Sequence, residues 1–251
     1  MTELHTHILP GMDDGARDPE EALALLELER LQGTERIALT SHFRPDQMDL
    51  TEFLDRRAAS AQQLRRMIGR SGTWPQLKTG CEIYFSPRLA ELELQNLCLE
   101  GTDLLLLELP TGMQPRFFRE TLEELGNQGF TPLIAHAERY GYILDEPGIL
   151  AEWMELGVFV QINASSLIRG GERAEMCQRL IKWGLAHVVS SDTHSTDRRP
   201  PNLDRAMAAV RKQLGQDTVL RLENNARTLF EGGIPELAEP HRPRKFFGRW
   251  I

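Results

Sequence analysis

Residues 103–109 read Asp-Leu-Leu-Leu-Leu-Glu-Leu, a short apolar run that predicts a β strand with Glu108 near its end. Six more β-rich runs alternate with stretches of helical periodicity along the chain. The seven predicted strands cover residues 3–7, 36–41, 77–82, 103–109, 132–136, 158–163 and 187–191. Strands that alternate with helices are joined by right-handed crossovers and run parallel, which predicts either a doubly wound sheet or a barrel.

The predicted helices have recognisable starts. The first has Asp18 as its N-cap and Pro19 at the first helical position. The others lie near residues 50–69, 115–128, 147–156, 172–183 and 202–215. Neither a G-x-G-x-x-G turn nor a Walker-type phosphate loop follows any predicted strand, which argues against a nucleotide-binding doubly wound fold.

Composition excludes several protein classes. Of the 251 residues, 41% are hydrophobic and 26% are charged, as in ordinary globular proteins, so a disordered or fibrous chain is not expected. The net charge of −8 argues against nucleic-acid binding through a basic surface. Apolar runs such as residues 104–107 are far too short for a membrane span.

The cysteines and the chain ends suggest a compartment and a domain division. Three cysteines (Cys81, Cys98 and Cys177) form no disulfide pattern, and the polar N-terminus does not resemble a leader peptide, so a cytoplasmic protein is expected. Residues 1–235 are expected to form one domain. Residues 236–251 are a proline-rich, then basic and aromatic tail.

Metal-ligand residue types occur at the ends of six of the seven predicted strands. They are His7, His42, Glu82, Glu108, His136 and Asp192, and the sixth strand ends in Asn163. A barrel gathers the carboxyl ends of its strands at one face, where barrel enzymes build their active sites. The residues are therefore expected to meet. Salt bridges to lining Arg or Lys residues are the structural alternative for Glu82 and Glu108.

Two pairs of ligand types, each two residues apart, strengthen the prediction of a metal site. His5 and His7 share one face of the first strand, which leaves Leu4 and Thr6 to face the helices. Asp192 and His194 form the second pair. Imidazole and carboxylate ligands without thiolate favour Mn, Fe or Zn. Because there are more ligands than one ion needs, a cluster of ions is expected, an arrangement suited to in-line displacement at phosphorus.

Arginines follow two of these ligands and suggest phosphate binding. Arg139 comes three residues after His136, and Arg198 and Arg199 come after Asp192. Guanidinium groups bind phosphoryl oxygens in pairs, although a surface ion pair is the alternative interpretation. None of the three cysteines is followed six positions later by arginine, so the thiolate phosphatase loop is missing.

The opening motif His-Thr-His-Ile-Leu-Pro-Gly-Met-Asp-Asp-Gly at residues 5–15 resembles that of the PHP (polymerase and histidinol phosphatase) superfamily. It is most similar to the bacterial manganese-dependent tyrosine phosphatases linked to capsule and exopolysaccharide synthesis. Later motifs agree in the same order, at residues 40–42, 80–83, 107–110, 135–140, 161–163, 191–194 and 199–201. The resemblance covers residues 1 to about 235 and excludes the tail.

The resemblance implies an α/β fold, a distorted seven-stranded (β/α) TIM-like barrel, with three divalent metal ions. Manganese is expected, and Fe or Zn would also suit the ligands. By position, the first ion would be held by His5, His7, Glu82 and Asp192. Glu82 would bridge to a second ion held also by Glu108 and His136. The third would be held by Asp14, His42 and His194. Arg139 and Arg199 resemble the phosphate-binding arginines.

The implied function is a metal-dependent phosphomonoesterase that hydrolyses phosphotyrosine in proteins by attack of a metal-bound hydroxide. Its expected partner is a bacterial tyrosine kinase of polysaccharide export. One alternative is the same chemistry on a small phosphate ester such as histidinol phosphate. Another is a non-catalytic, metal-stabilised scaffold that binds a kinase through its tail.

Overall fold

Parallel strands alternate with α helices in the computed structural model, which describes residues 1–69, 73–246 and 249–250. Within these residues the strands are β1 Thr2–Thr6, β2 Arg36–Leu39, β3 His42–Phe43, β4 Gln76–Thr79, β5 Glu82–Tyr84, β6 Leu104–Glu108, β7 Thr131–Ile134, β8 Phe159–Asn163, β9 Val188–Ser190, β10 Lys245–Phe246 and β11 Arg249–Trp250. The helices are α1 Pro19–Leu31, α2 Leu50–Ile68, α3 Phe118–Asn127, α4 Gly141–Asp145, α5 Ile149–Met154, α6 Ala164–Ile168, α7 Gly171–Lys182, α8 Leu203–Leu214 and α9 Gln216–Phe230. Short 3-10 turns lie at Leu89–Glu91, Leu94–Asn96 and Ala137–Arg139.

Two parallel sheets contain the first nine strands. One has the order β1-β2-β4 and the other β3-β5-β6-β7-β8-β9, while β10 and β11 form a separate antiparallel pair. The predicted α/β class with parallel strands is therefore confirmed. No helix in the described part of the chain has the length and hydropathy needed to cross a membrane.

The prediction of a closed seven-stranded barrel is not confirmed. The second and third predicted strands are each interrupted, so β2 and β4 pair in one sheet whereas β3 and β5 pair in the other. At the interruption the Glu82 amide donates to the carbonyls of both Thr40 and Ser41, at 3.1 Å each. Next to β9, β1 has only a single bridge, between Thr6 and Thr193. In the described residues the strand ladder thus forms two sheets and does not close.

The start of the first helix forms as the sequence predicts. Asp18 accepts a 2.8 Å hydrogen bond from the Glu21 amide at the start of α1, and Pro19 is the first helical residue. Asp49 caps α2 in the same way through the amide of Glu52. The sequence analysis missed the short helices α4 and α6, and also α9, although Val219, Leu222, Ala226 and Leu229 are buried there at helical spacing.

A small apolar core lies on the same face of the strands as the ligands. Leu104 and Leu106 of β6 pack in it, whereas Leu105 and Leu107 belong to the larger core. Phe230 at the end of α9 is fully buried in the small core. Since alternate side chains of a strand share a face, Glu108 projects on the side of Leu104 and Leu106. The apolar core thus packs beneath the carboxyl ends of the strands.

Strand β1 contains an irregularity that changes which side its residues face. Between Glu3 and Thr6 the chain advances three residues while its partner β2 advances two, as in a β-bulge. Contrary to the prediction, Leu4 does not belong to the larger core that contains the buried faces of most helices, but packs in the small core with Leu104 and the end of α9. The extra residue allows His5 to share the inner side with Leu4.

The described part of the predicted tail folds back onto the body of the protein. The His241 amide donates to the Trp183 carbonyl at 2.8 Å, and Arg242 forms an ion pair with Glu155. Lys245 of β10 lies over the ring of Trp250, 4.8 Å from its centroid. The division at residue 235 remains a prediction, and residues 247, 248 and 251 of the tail lie outside the described residues.

Candidate metal centre

The nine predicted ligands lie together at the carboxyl ends of the parallel strands. They are His5, His7, Asp14, His42, Glu82, Glu108, His136, Asp192 and His194. Two of them, His136 and Asp192, have left-handed backbone conformations, with φ of 33° and 56°. Such conformations are uncommon for residues other than glycine and cluster at functional sites. In both cases the left-handed residue follows the end of a strand and changes the direction of the side chain there.

The first predicted ligand group converges closely. The Nε2 atoms of His5 and His7 are 3.1 Å apart. Each lies within 3.3 Å of Glu82 Oε2 and 3.5 Å from Asp192 Oδ1. Four side chains from three segments of the chain therefore direct donor atoms at one point.

Glu82 connects this group to the second. Its Oε1 is 2.8 Å from His136 Nε2, and Glu108 Oε1 is 3.9 Å from the same nitrogen. His42 Nδ1 is 2.9 Å from Glu82 Oε2 and 4.0 Å from Glu108 Oε2. Both Glu82 oxygens thus face ligand atoms, which is the arrangement that a bridging carboxylate requires.

The third group lies at the open side of the centre. Asp14 Oδ1 is 3.4 Å from His42 Nε2 and 3.5 Å from His194 Nε2, and His7 belongs to the same cluster. The Asp14 side chain is 67% exposed, whereas that of Glu82 is 1% exposed. Solvent and substrate would therefore reach the centre from the side of Asp14.

The donor atoms suit divalent cations. Glu82 Oε2, Glu108 Oε2 and His194 Nε2 are buried, and in the part of the chain that the structure describes they have no hydrogen-bond partner. Imidazole nitrogens or carboxylate oxygens nevertheless lie close to each of them. A buried polar or charged atom without a hydrogen-bond partner lowers the stability of the fold unless it binds a metal ion. Oxygen and imidazole donors without thiolate match Mn, Fe or Zn.

The electrostatics of the ligands are governed by burial and by one another. Burial opposes ionisation of Glu82, but His5 and the other imidazoles around it hold the pKa of this carboxyl well below its usual range. Burial, with the charges of His7 and Arg199, lowers the pKa of His194 to about 3. An ionised carboxylate and a neutral imidazole are the forms that bind metal ions.

Asp13, which the sequence analysis did not select, holds two of the ligands in place. Its Oδ2 is 2.7 Å from His7 Nδ1 and accepts a 2.8 Å hydrogen bond from the His42 amide. Its Oδ1 accepts from the Gly15 amide at 3.0 Å. A carboxylate that holds the second nitrogen of a ligating imidazole fixes its tautomer and orientation. The signal was available, because Asp13 stands beside Asp14 in the opening motif.

An amide pair from β8 connects further ligands. Gln161 Oε1 accepts from the His136 amide at 2.7 Å and lies 3.3 Å from His5 Nδ1. Gln161 Nε2 donates to Asn163 Oδ1, and Asn163 Nδ2 donates to Asp192 Oδ2 at 2.8 Å. Asn163 thus takes part in the site although it is not one of the predicted ligands.

Asp192 joins the ligand cluster to two arginines. Its Oδ1 faces the imidazoles, while its Oδ2 lies 2.7 Å from Arg139 Nη2 and 2.5 Å from Arg199 Nη2. The exposed Arg198 side chain makes no ion pair in the described part of the chain. The structure therefore brings Arg139 and Arg199 to the centre and leaves Arg198 at its rim.

Tyr140 is a further residue at the centre that sequence reasoning missed. Its hydroxyl accepts a 2.9 Å hydrogen bond from the Leu109 amide and lies 3.2 Å from His136 Nδ1. Which of the two atoms carries the proton depends on the His136 tautomer. In either case the fully buried Tyr140 fixes the orientation of the His136 ring.

We expect Asp13→Asn to weaken divalent-metal affinity by about 10- to 100-fold, the usual effect of removing such a support. The amide keeps the size of the carboxylate but cannot accept through both atoms from His7, His42 and Gly15. Metal titration followed by calorimetry would measure the change. Asp46→Asn, an exposed carboxylate bonded to Ser86, is the matched control. Equal affinities in the two variants would contradict the role given to Asp13.

We expect Gly15→Ala to destabilise the protein by about 1–3 kcal/mol and to reduce metal binding. A Cβ at Gly15 would lie 2.0 Å from the His7 carbonyl oxygen and 2.5 Å from its Cβ, so the loop carrying Asp13 and Asp14 would have to move. Thermal unfolding and metal titration would measure both effects. At Gly112 nothing lies within 4 Å of an added Cβ, and Gly112→Ala should change neither quantity.

Comparison with known proteins gives consistent matches over most of the chain. Residues 1–231 match the family described as capsular polysaccharide synthesis, CpsB/CapC. The tyrosine-protein phosphatase YwqE of Bacillus subtilis (strain 168) is 29% identical over 99% of both chains. The tyrosine-protein phosphatase CpsB of Streptococcus pneumoniae is 29% identical over 86% of this chain and 91% of its own.

A solved structure has the same overall fold. It is a chain from the crystal structures of YwqE from Bacillus subtilis and CpsB from Streptococcus pneumoniae, described as unique metal-dependent tyrosine phosphatases. It superposes with a TM-score of 0.88 at 27% identity and covers 98% of this chain and 100% of its own.

Proposed function

This chain belongs to the capsular polysaccharide synthesis family CpsB/CapC, and on that premise we propose that it is a metal-dependent protein-tyrosine phosphatase. The observation that carries the proposal is the double role of Asp192. One of its oxygens faces the imidazole cluster and the other holds two arginines. A phosphate ester bound there would meet cations and guanidinium groups together.

The proposed metal site uses all nine ligands. We assign one ion to His5, His7, Glu82 and Asp192, a second to Glu82, Glu108 and His136, and a third to Asp14, His42 and His194. Manganese is the proposed metal, and the oxygen and imidazole donors support it. Bound divalent ions would supply Lewis-acid activation of water and would neutralise charge on the phosphoryl group.

The protein's own groups would bind and orient the substrate. Arg139 and Arg199 are about one-third exposed, so each keeps donors free for phosphoryl oxygens while it is held by Asp192. Guanidinium groups fixed in this way are preorganised for the charge that develops during phosphoryl transfer. The leaving phenolate of phosphotyrosine has a conjugate-acid pKa of about 10 and requires little help from a general acid.

We further propose that the substrate is a phosphorylated bacterial tyrosine kinase of polysaccharide export and that the protein acts in the cytoplasm. The family description, which refers to capsular polysaccharide synthesis, supports the first proposal. The second is supported by Cys81, Cys98 and Cys177, which are all free and buried, as suits a reducing compartment.

Turnover of a phosphotyrosine peptide beside histidinol phosphate, with and without added Mn²⁺, tests the proposed function. We expect efficient metal-dependent hydrolysis of the peptide and a much lower kcat/KM for histidinol phosphate. Preference for histidinol phosphate would instead indicate a small-molecule phosphatase. Absence of turnover of both substrates by the metal-loaded protein would indicate a scaffold and would overturn the proposal.

We expect chelators to abolish the activity and thiol alkylation to leave it unchanged. Burial raises the pKa of the Cys81 and Cys98 thiols to about 12, and Cys177 is also buried, so none is a reactive thiolate. Activity after EDTA, after Mn²⁺ is added back, and after iodoacetamide would be compared. Loss of activity upon alkylation of a still-folded protein would contradict this expectation.

A further inference from the structure

A pocket of about 510 Å³ beside Asp192 is lined by an unusual concentration of positive charge. Six arginines line it, and no carboxylate of the described residues does. They are Arg139, Arg169, Arg173, Arg198, Arg199 and Arg205. The protein as a whole has a net charge of −8, so this pocket is opposite in sign to the rest of the molecule. We call it the arginine pocket.

Salt bridges divide these arginines into two groups. Arg139 and Arg199 pair with Asp192, but Arg169, Arg173, Arg198 and Arg205 form no ion pair within the part of the chain that the structure describes. Unpaired guanidinium groups around one cavity repel one another. An anion bound between them would remove that repulsion and would receive paired hydrogen bonds.

The unpaired arginines are placed by separate packed elements. Arg169 follows α6, Arg173 is in the first turn of α7 and Arg205 is in the first turn of α8. These three helices contact one another, so the backbone positions of the arginines are set by the fold. Three chain segments thus supply charge to one cavity.

A neutral polar side chain that lines the arginine pocket also has an atom available to a ligand. Asn202 is only 9% exposed and lines the pocket, and its Oδ1 is buried without a hydrogen-bond partner among the described residues. The oxygen and nitrogen of an amide exchange places by a rotation of 180°. After that rotation the amide nitrogen of Asn202 would donate to a bound anion.

We propose that the arginine pocket is a second anion subsite, which binds an additional anionic side chain of the peptide whose phosphotyrosine is at the metal centre. The proposal rests on the proposed function. Arg139 and Arg199 line the pocket and also contact Asp192, so the subsite is continuous with the metal centre. The additional side chain is a second phosphotyrosine or an aspartate or glutamate, since guanidinium groups bind phosphate and carboxylate alike.

Peptides that differ only in the additional anion test the subsite. One peptide would contain a single phosphotyrosine, a second series would add another phosphotyrosine, and a third series would add glutamate, at spacings of one to four residues. For the Mn²⁺-loaded protein we expect at least one spacing to raise kcat/KM by about tenfold, the order given by one further charge-assisted contact. The preference should fall as salt screens the arginines. Comparison of kcat/KM between the phosphotyrosine series and the glutamate series shows whether phosphate or carboxylate is the preferred anion.

The variant Arg169→Ala/Arg173→Ala/Arg205→Ala should lose this preference, so that all peptides approach the kcat/KM of the singly phosphorylated one. The control Arg179→Ala/Arg211→Ala removes arginines from the same helices α7 and α8 that lie outside the pocket, and it should keep the preference. Single Arg205→Gln, which is less disruptive to folding, should lose part of it. Thermal unfolding would verify that each variant is folded.

Two results would overturn the subsite alone. One is equal kcat/KM for all peptides with the wild-type protein, and the other is an unchanged preference in the triple variant. In both cases turnover of the singly phosphorylated peptide would show that the proposed function stands. Absence of turnover of every peptide would overturn the proposed function, and the subsite with it.

Discussion

Replacing Asp192 by asparagine should lower kcat/KM for a phosphotyrosine peptide by about 10³-fold, the upper end for losing one electrostatic partner. The carboxylate contacts two groups of residues. One oxygen faces His5 and His7, and the other faces Arg139 and Arg199. The asparagine amide is uncharged and would attract neither a metal ion nor the arginines. Its nitrogen would also point donor hydrogens either at the arginines or at the ligand cluster.

Asparagine is the informative substitution because the backbone stays compatible. Asp192 has φ of 56°, a conformation that asparagine tolerates well and that alanine adopts only with strain. The variant should therefore fold, although its Tm in the absence of metal should lie below that of the wild type. Burial opposes ionisation of Asp192, but the imidazoles and Arg139 around it hold the pKa of its carboxyl below the usual range, so an uncharged side chain loses that net attraction.

Metal content and turnover would be measured together, with Asp145→Ala, an exposed carboxylate, as the control. We expect reduced metal content in the Asp192 variant and a wild-type value in the control. Near wild-type turnover by a fully loaded Asp192→Asn protein would remove Asp192 from the proposed site.

Arg139→Lys should lower kcat/KM for phosphate esters by about 10²-fold although the positive charge is kept. Arg139 has one nitrogen, Nη2, on Asp192, and its remaining donors are available to a phosphoryl group. A lysine ammonium is a single point of charge and cannot make this planar, paired contact with Asp192 and substrate together. We expect the loss without any change in metal content, because Arg139 is not a ligand.

Arg65→Lys is the matched control, since Arg65 also forms a 2.8 Å contact with a carboxylate, that of Glu100, but lies away from the metal centre. Its kcat/KM should equal that of the wild type. If Arg139→Lys were as active as this control, the ion pair of Arg139 with Asp192 would be only structural.

The positions of the strands could be predicted from local sequence, but the pairing of the strands could not. All seven predicted strand regions form strands, since apolar runs and capped helix starts are local signals. The interruptions at residues 40–41 and 80–81 were not predicted. They move β3 and β5 into a different sheet from β2 and β4, and such a change depends on pairing between segments distant in sequence. The prediction of a closed barrel was not confirmed for the same reason.

The candidate ligands were accessible from the sequence because their residue types recur at strand ends. Gln161 and Tyr140 were not selected, since each acts by holding another side chain and its own spacing carries no signal. Asp13 was not selected either, although its position beside Asp14 in the opening motif was a usable signal. The choice between Arg198 and Arg199 also stayed open. It depends on the turn after Asp192, where the His194 amide donates to the Arg199 carbonyl and folds the loop back on itself.

By itself, the sequence determined the α/β class, the order of strands and helices and the set of imidazoles and carboxylates, because periodicity, capping and residue type are properties of neighbouring residues. Only the tertiary structure decided which of these groups meet. It split the strands between two sheets, directed the two oxygens of Asp192 at different partners and gathered unpaired arginines from α7, α8 and the end of α6 around one pocket. Those relations join residues dozens of positions apart, and packing, not local pattern, sets their distances.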